Sequence, residues 1–178
     1  MEIEQLPLGG ALIVTPRIFS DDRGFFKETY SLDRYRAAGI EETFVQDNLS
    51  LSRRDVLRGL HGDARMAKLV CVLRGRAYDV IVDVRAHSPT YRRWHATSLD
   101  AAGGRQLYVP RGFLHGFLAL EDDTLLAYKQ SAAYDPAREL GVAWDDAELG
   151  IEWPLHGRHP ILSPRDATNP TLRRLGGA

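Results

Sequence analysis

Apolar positions along this chain come in short bursts, not in long helical stripes. Runs rich in Val, Ile, Leu, Phe and Tyr are broken by Gly, Pro, Asp and Asn, the pattern of half-buried strands joined by tight turns. It predicts strands at residues 11–15, 25–30, 43–46, 56–60, 68–73, 77–84, 94–98, 106–109, 112–118, 124–130 and 142–144. Arg74-Gly75-Arg76 separates two of these runs and reads as a hairpin turn, with Gly75 free to take positive φ. One helix is expected, capped by Ser31, carried by residues 32–38 and stopped by Gly39. A further short turn is expected near 145–149, and an irregular arm from about residue 160. Many short strands with little helix indicate one all-β domain over residues 1–178, an antiparallel sandwich or barrel.

Composition narrows the class. The chain has 178 residues, 44% of them hydrophobic, enough for a core without disulfides or a structural metal. Its 23 Lys and Arg against 24 Asp and Glu leave a net charge of −1, which argues against gripping nucleic acid by its phosphates. Cys71 is the only cysteine, so no internal disulfide forms; in its apolar run it reads as a small buried hydrophobe. No apolar stretch approaches a membrane span and Met1 to Gly10 lacks a signal-peptide pattern, so a soluble, cytoplasmic protein is expected.

Several polar residues stand inside otherwise apolar strands. In Arg58-Gly59-Leu60-His61, Arg58 and His61 lie three apart and fall on opposite faces of a regular strand, unless Gly59 bends or bulges the chain. A histidine at a strand end is by itself more often structural than catalytic. Lys68 opens the most apolar strand and either snorkels to water or points inward as a fixed positive charge. Tyr128 can be a packing residue with a wet tip, or a general acid whose pKa a nearby cation holds near the working range. Asp166 is a turn residue, or a carboxylate that orients a histidine. His115 sits in an aromatic, Gly-flanked strand, while the other histidines outside the Arg58–His61 segment suit exposed loops. No His-x-His pair occurs, so no metal is expected, although a triad assembled from remote residues stays open.

Taken in order, Asp22-Arg23-Gly24-Phe25-Phe26-Lys27-Glu28, Phe44-Val45-Gln46-Asp47-Asn48, Leu57-Arg58-Gly59-Leu60-His61, Lys68-Leu69-Val70, Asp79-Val80 with Val82-Asp83-Val84-Arg85, and Ser88-Pro89-Thr90-Tyr91 make a distinctive series. It continues through Pro110-Arg111-Gly112-Phe113-Leu114-His115-Gly116-Phe117, Tyr128-Lys129, Gly150-Ile151-Glu152-Trp153-Pro154 and Leu162-Ser163-Pro164-Arg165-Asp166. Each piece is weak alone, but the ordered set resembles the dTDP-4-dehydrorhamnose 3,5-epimerase family. The resemblance implies a double-stranded β-helix, the cupin jelly roll, with few short helices. It implies no metal or cofactor, and a homodimer whose sites are completed across subunits. It implies His61 as base, Asp166 as its carboxylate partner, Tyr128 as acid and Lys68 beside the keto oxygen of a nucleotide-diphospho-sugar. Arg23, Phe26, Glu28, Gln46, Asn48, Arg58, His115 and Tyr134 are implied as substrate-binding residues.

The chain departs from the family pattern where Gly62-Asp63 replaces an aromatic and Gln after His61, and where Ala133-Tyr134 replaces paired tyrosines. The first change reshapes the sugar end of the pocket and resembles relatives acting on 4-keto heptoses and other modified sugars. The expected reaction is inversion of carbon 3, carbon 5 or both of a 4-keto sugar of the dTDP-4-dehydro-6-deoxyglucose type. The alternatives are a 3,4-ketoisomerase and a non-catalytic sugar-binding cupin.

Overall fold

The computed structural model describes residues 1–175, and its framework is two facing antiparallel sheets in a jelly roll. The first sheet has six strands in the order β1 (Glu2–Gln5), β2 (Leu12–Thr15), β10 (Gln106–Val109), β7 (Lys68–Arg74), β12 (Thr124–Gln130) and β5 (Gln46–Ser52). The second has five, in the order β13 (Leu140–Gly141), β6 (Leu57–Gly62), β11 (Phe113–Ala119), β8 (Arg76–Asp83) and β9 (Trp94–Asp100). A separate hairpin of β3 (Ile18–Asp21) and β4 (Gly24–Lys27) stands off both sheets. Helix is confined to α1 (Leu32–Ala37), a 3₁₀ turn (Asp166–Thr168) and α2 (Leu172–Leu175).

Alternation along the strands sorts residues into layers. Val70, Val72, Ile81, Leu107, Phe113, Phe117 and Leu126 meet between the sheets and form the main core, with Tyr128 packed against it. Their neighbours one residue away point outward. Leu12, Val14, Leu69 and Tyr108 are covered by Tyr35 of α1 and by Ile40. On the other sheet, Leu60, Val80, Val82 and Leu114 are covered by Val142, Leu149 and Leu172 of the C-terminal arm. Trp94 and Trp153 staple that arm by donating their indole N–H groups to the carbonyls of Leu149 and Trp144, each at 2.8 Å.

The expected strands need correction in several places, including 25–30, which is seen as Gly24–Lys27. The strand expected at residues 43–46 is displaced to β5, Gln46–Ser52. β13 ends before the expected 142–144. β1 and β3, exposed at every position, carry no alternation by which a sequence pattern could find them. Ser31 does stand at the N-cap of α1, but its side chain makes no capping bond.

Candidate active site

The site grows from an irregularity in β6. In the pairing with β11, Arg58 lies opposite Phe117 and His61 opposite His115, so Gly59 and Leu60 together face the single residue Gly116. This bulge shifts the alternation by one. Leu57 and Leu60 pack in the outer layers, while Arg58 and His61, three apart, both turn to the inter-sheet side. Glycine is required at 59: its φ is +126°, and a Cβ there would lie 2.5 Å from the Cα of Gly116.

His61 is gripped from the C-terminal arm. Its Nε2 donates to Oδ1 of Asp166 at 2.5 Å, which assigns the ring proton to Nε2 and leaves Nδ1 as the basic nitrogen. Burial pushes the Asp166 carboxyl up, but the bond and charge of His61, the Ser163 hydroxyl and the Gly59 N–H outweigh it and hold the carboxylate ionised below its ordinary value. Nδ1 of His61 faces Oε1 of Glu139 at 3.9 Å.

Lys68 and Tyr128 approach from the opposite sheet. Period two along β7 puts Lys68 on the face of Val70 and Val72, so this lysine points inward instead of snorkelling. Burial pulls its ammonium down to about 8, against the opposing pull of Glu139, Asp79 and Asp63. Tyr128 shares the inward face of β12 with Leu126. Burial raises its phenol, the charge of Glu139 raises it further, and Arg58 offsets this only in part. The expected cation is present, yet the phenol lies above its ordinary pKa and keeps its proton at neutral pH. Glu139 faces His61 at 3.9 Å and its charge also raises Tyr128, which links the two rings through one carboxylate.

Other expected residues surround this centre. Arg58 is anchored by Ser52 Oγ at 3.2 Å and the Leu51 carbonyl at 3.3 Å. Gln46 and Asn48 face inward from β5 and are joined by a 2.9 Å bond. His115 is buried, with Nε2 at 2.9 and 3.1 Å from the two oxygens of Asp79. The Tyr134 hydroxyl donates to Glu139 at 2.9 Å. Arg23, Phe26 and Glu28 are not brought to His61 within this chain. Arg23 pairs with Asp21 on the hairpin, Phe26 is exposed, and Glu28 pairs with Arg34 of α1.

Four residues enter the site that sequence reasoning missed. Glu139 and Arg165, themselves ion-paired, come from loops with no periodic signal. Asp79 belongs to the ordered motif series but carried no role there, and Gln130 was visible only as the polar end of β12. Among the described residues no group of three or more His, Cys, Asp or Glu is arranged to hold a metal ion. No described helix is long and apolar enough to cross a membrane.

Residues 5–174 match the family model described as dTDP-4-dehydrorhamnose 3,5-epimerase. The dTDP-4-dehydrorhamnose 3,5-epimerase of Methanothermobacter thermautotrophicus is 45% identical over 169 residues, covering 93% of this chain and 91% of the relative. An epimerase structure from Mycobacterium tuberculosis superposes with a TM-score of 0.95 at 40% identity, covering 99% of this chain and 90% of that one. The Legionella pneumophila dTDP-6-deoxy-D-glucose-3,5-epimerase, solved with dTDP-4-keto-L-rhamnose, gives 0.93 at 40% identity, with 97% and 93% covered.

Proposed function

The chain belongs to the dTDP-4-dehydrorhamnose 3,5-epimerase family, and from that premise we propose how this isomerase inverts carbon 3, carbon 5 or both of a nucleotide-diphospho-4-keto sugar. A hydrogen on carbon next to a ketone is acidic because its removal leaves an enolate. Nδ1 of His61 takes that proton, while the Nε2–H bond to Asp166 holds the tautomer and balances the imidazolium that forms. The Lys68 ammonium faces the developing enolate oxygen, with Arg58 adding positive charge nearby. Tyr128, on the other sheet, returns a proton to the opposite face of the same carbon and inverts it. The imidazolium then gives its proton to water and the phenolate recovers one, restoring both groups. Gln46, Asn48, Arg58, His115 and Tyr134 hold the substrate.

The observation that carries this reading is the paired imidazole with its free nitrogen turned toward the carboxylate that also acts on Tyr128. A panel of nucleotide-diphospho-4-keto sugars in deuterated water tests it by NMR. Deuterium is expected at each inverted carbon, and His61→Ala should stop incorporation altogether. Exchange that survives in His61→Ala refutes the base assignment. Tyr128→Phe should lower turnover by roughly 10²- to 10⁴-fold, the worth of a positioned acid, while the sugar still binds.

A homodimer completes the proposal. Phe25 and Phe26 are 67% and 69% exposed on the stand-off hairpin, and Leu49, Leu51 and Leu73 are exposed on the outer face of the first sheet. That face carries a groove of about 550 Å³ with Leu49, Leu69, Cys71, Leu73 and Ala127 as its apolar lining and polar residues such as Asp47 and Lys129 beside them. Apolar surface of this extent suits a second copy. A hairpin reaching the partner's site gives Arg23, Phe26 and Glu28 the binding role they lack in their own chain.

A further inference from the structure

A chain of side-chain amides ends unpaired beside Lys68. It starts at a backbone donor whose direction is fixed: the Tyr134 N–H donates to Gln46 Oε1 at 3.0 Å. The Gln46 amide nitrogen must then face the other way, and it donates to Asn48 Oδ1 at 2.9 Å. Asn48 Nδ2 in turn donates to Gln130 Oε1 at 3.2 Å. Each link sets the orientation of the next, so the Gln130 NH₂ is the loose end, a pair of N–H donors. It donates to no protein acceptor among the described residues.

Its surroundings say what the loose end is for. Gln130 is only 5% exposed and borders a small cavity with Gly62, Asp63, Met66, Lys68, Tyr134 and Glu139. In the sheet register it lies directly between Lys68 of β7 and Gln46 of β5. All three carboxylates at this cavity are engaged elsewhere: Asp63 by Arg65, Asp135 by the Ala137 N–H and Arg138, and Glu139 by Tyr134 and Arg165. The cavity is about 10 Å³, room for a single water, so a sugar bound beside Lys68 that displaces that water must itself give the amide an acceptor. A ligand presenting a methyl or methylene there leaves a buried donor unmatched, which a site built for a hydroxyl rejects strongly.

We propose that Gln130 is a specificity-determining residue whose side-chain N–H binds a hydroxyl oxygen on one of the substituents flanking the keto carbon of the sugar. This rests on the epimerase reading above and extends it from the reacting carbons to the choice of substrate. The residue works as a reader of oxygen: Lys68 meets the keto oxygen, and its cross-strand neighbour meets the oxygen next to it. Neither Gly62 nor Met66 supplies a competing donor at that wall.

Titration calorimetry with three unreactive analogues tests the proposal on the full chain: dTDP-glucose, its 6-deoxy analogue dTDP-quinovose, and dTDP-3-deoxyglucose, with dTDP alone as control. In the unsubstituted protein one of the two deoxy analogues should bind at least about fivefold more weakly than dTDP-glucose, the worth of one lost hydrogen bond. In Gln130→Met and in the smaller Gln130→Thr that ratio should fall to near one, with dTDP affinity kept as evidence of an intact fold. Equal affinities in the unsubstituted protein, or a ratio that both variants preserve, overturn the role of Gln130 and leave the epimerase reading standing. Failure of dTDP and of all three sugar nucleotides to bind the unsubstituted protein instead overturns the epimerase reading, and this inference with it.

Discussion

The chemistry of single residues here is set by which charges surround them, and Lys68 is the most informative case. Its ammonium is pulled down to about 8 by burial, from a usual value more than two units higher. Stabilising an enolate requires the charged form, which predominates below about 8 and is lost as the pH rises through it. The rate constant kcat/KM should therefore hold level at neutral pH and decline above about pH 8. The Lys68→Met variant should be slower throughout and should lack that declining limb. A pH–rate profile of both proteins checks this, and a limb that persists in Lys68→Met assigns it to another group. For stability the sign is opposite: the unfolded chain binds this proton more tightly than the native one, so deprotonation favours the fold between about pH 8 and 10.5. His61, Tyr128 and Lys68 stood out in the sequence as polar residues interrupting apolar runs, but their proposed roles came from the family resemblance and not from that pattern. Glu139 and Arg165 did not stand out, because a charged residue in a loop looks the same whether it faces water or a ring 3.9 Å away.

At the scale of elements, the bulge in β6 and the arm carrying Asp166 do the positioning. Gly59 is the pivot, and Gly59→Ala tests it. The new Cβ would collide with backbone of β11, and the residue would be forced to a positive φ that disfavours side chains. A loss of roughly 2 kcal/mol or more is expected, a drop of several degrees in melting temperature. Turnover should fall further than stability, because Arg58 and His61 share a face only through the bulge. Calorimetry alongside kinetics separates the two, and a variant with normal turnover would show that the bulge is not needed to aim His61. The sequence signalled a bend at Gly59, whereas it misplaced β5 for a physical reason. Gln46, Asn48, Ser50 and Ser52 face the inter-sheet side of that strand, while Leu49 and Leu51 face outward and stay exposed. A pattern that equates apolar with inward inverts such a strand. Under the proposed function, polar residues line the inside because a polar ligand binds there.

At the scale of the whole molecule, the proposed homodimer divides one task between the hairpin and the barrel. Arg23, Phe26 and Glu28 sit apart from His61 in this chain, and Phe25 and Phe26 expose more apolar ring than a free surface loop needs. If the hairpin serves the partner's site, defects in the two halves must complement one another. A dimer mixing a His61→Ala protomer with an Arg23→Ala protomer has one site with both defects and one with neither. The intact site takes its imidazole from one subunit and its guanidinium from the other. Random reassortment makes about half of the dimers mixed, so about a quarter of all sites should regain full activity, from two parents that are each impaired. Sites completed within one chain would instead give no gain, since every site would keep its own defect. Phe25→Ser with Phe26→Ser should weaken association, which light scattering after size exclusion would register as a shift toward monomer at low concentration. An unchanged dimer would move the contact from the hairpin to the leucine-lined outer face of the first sheet.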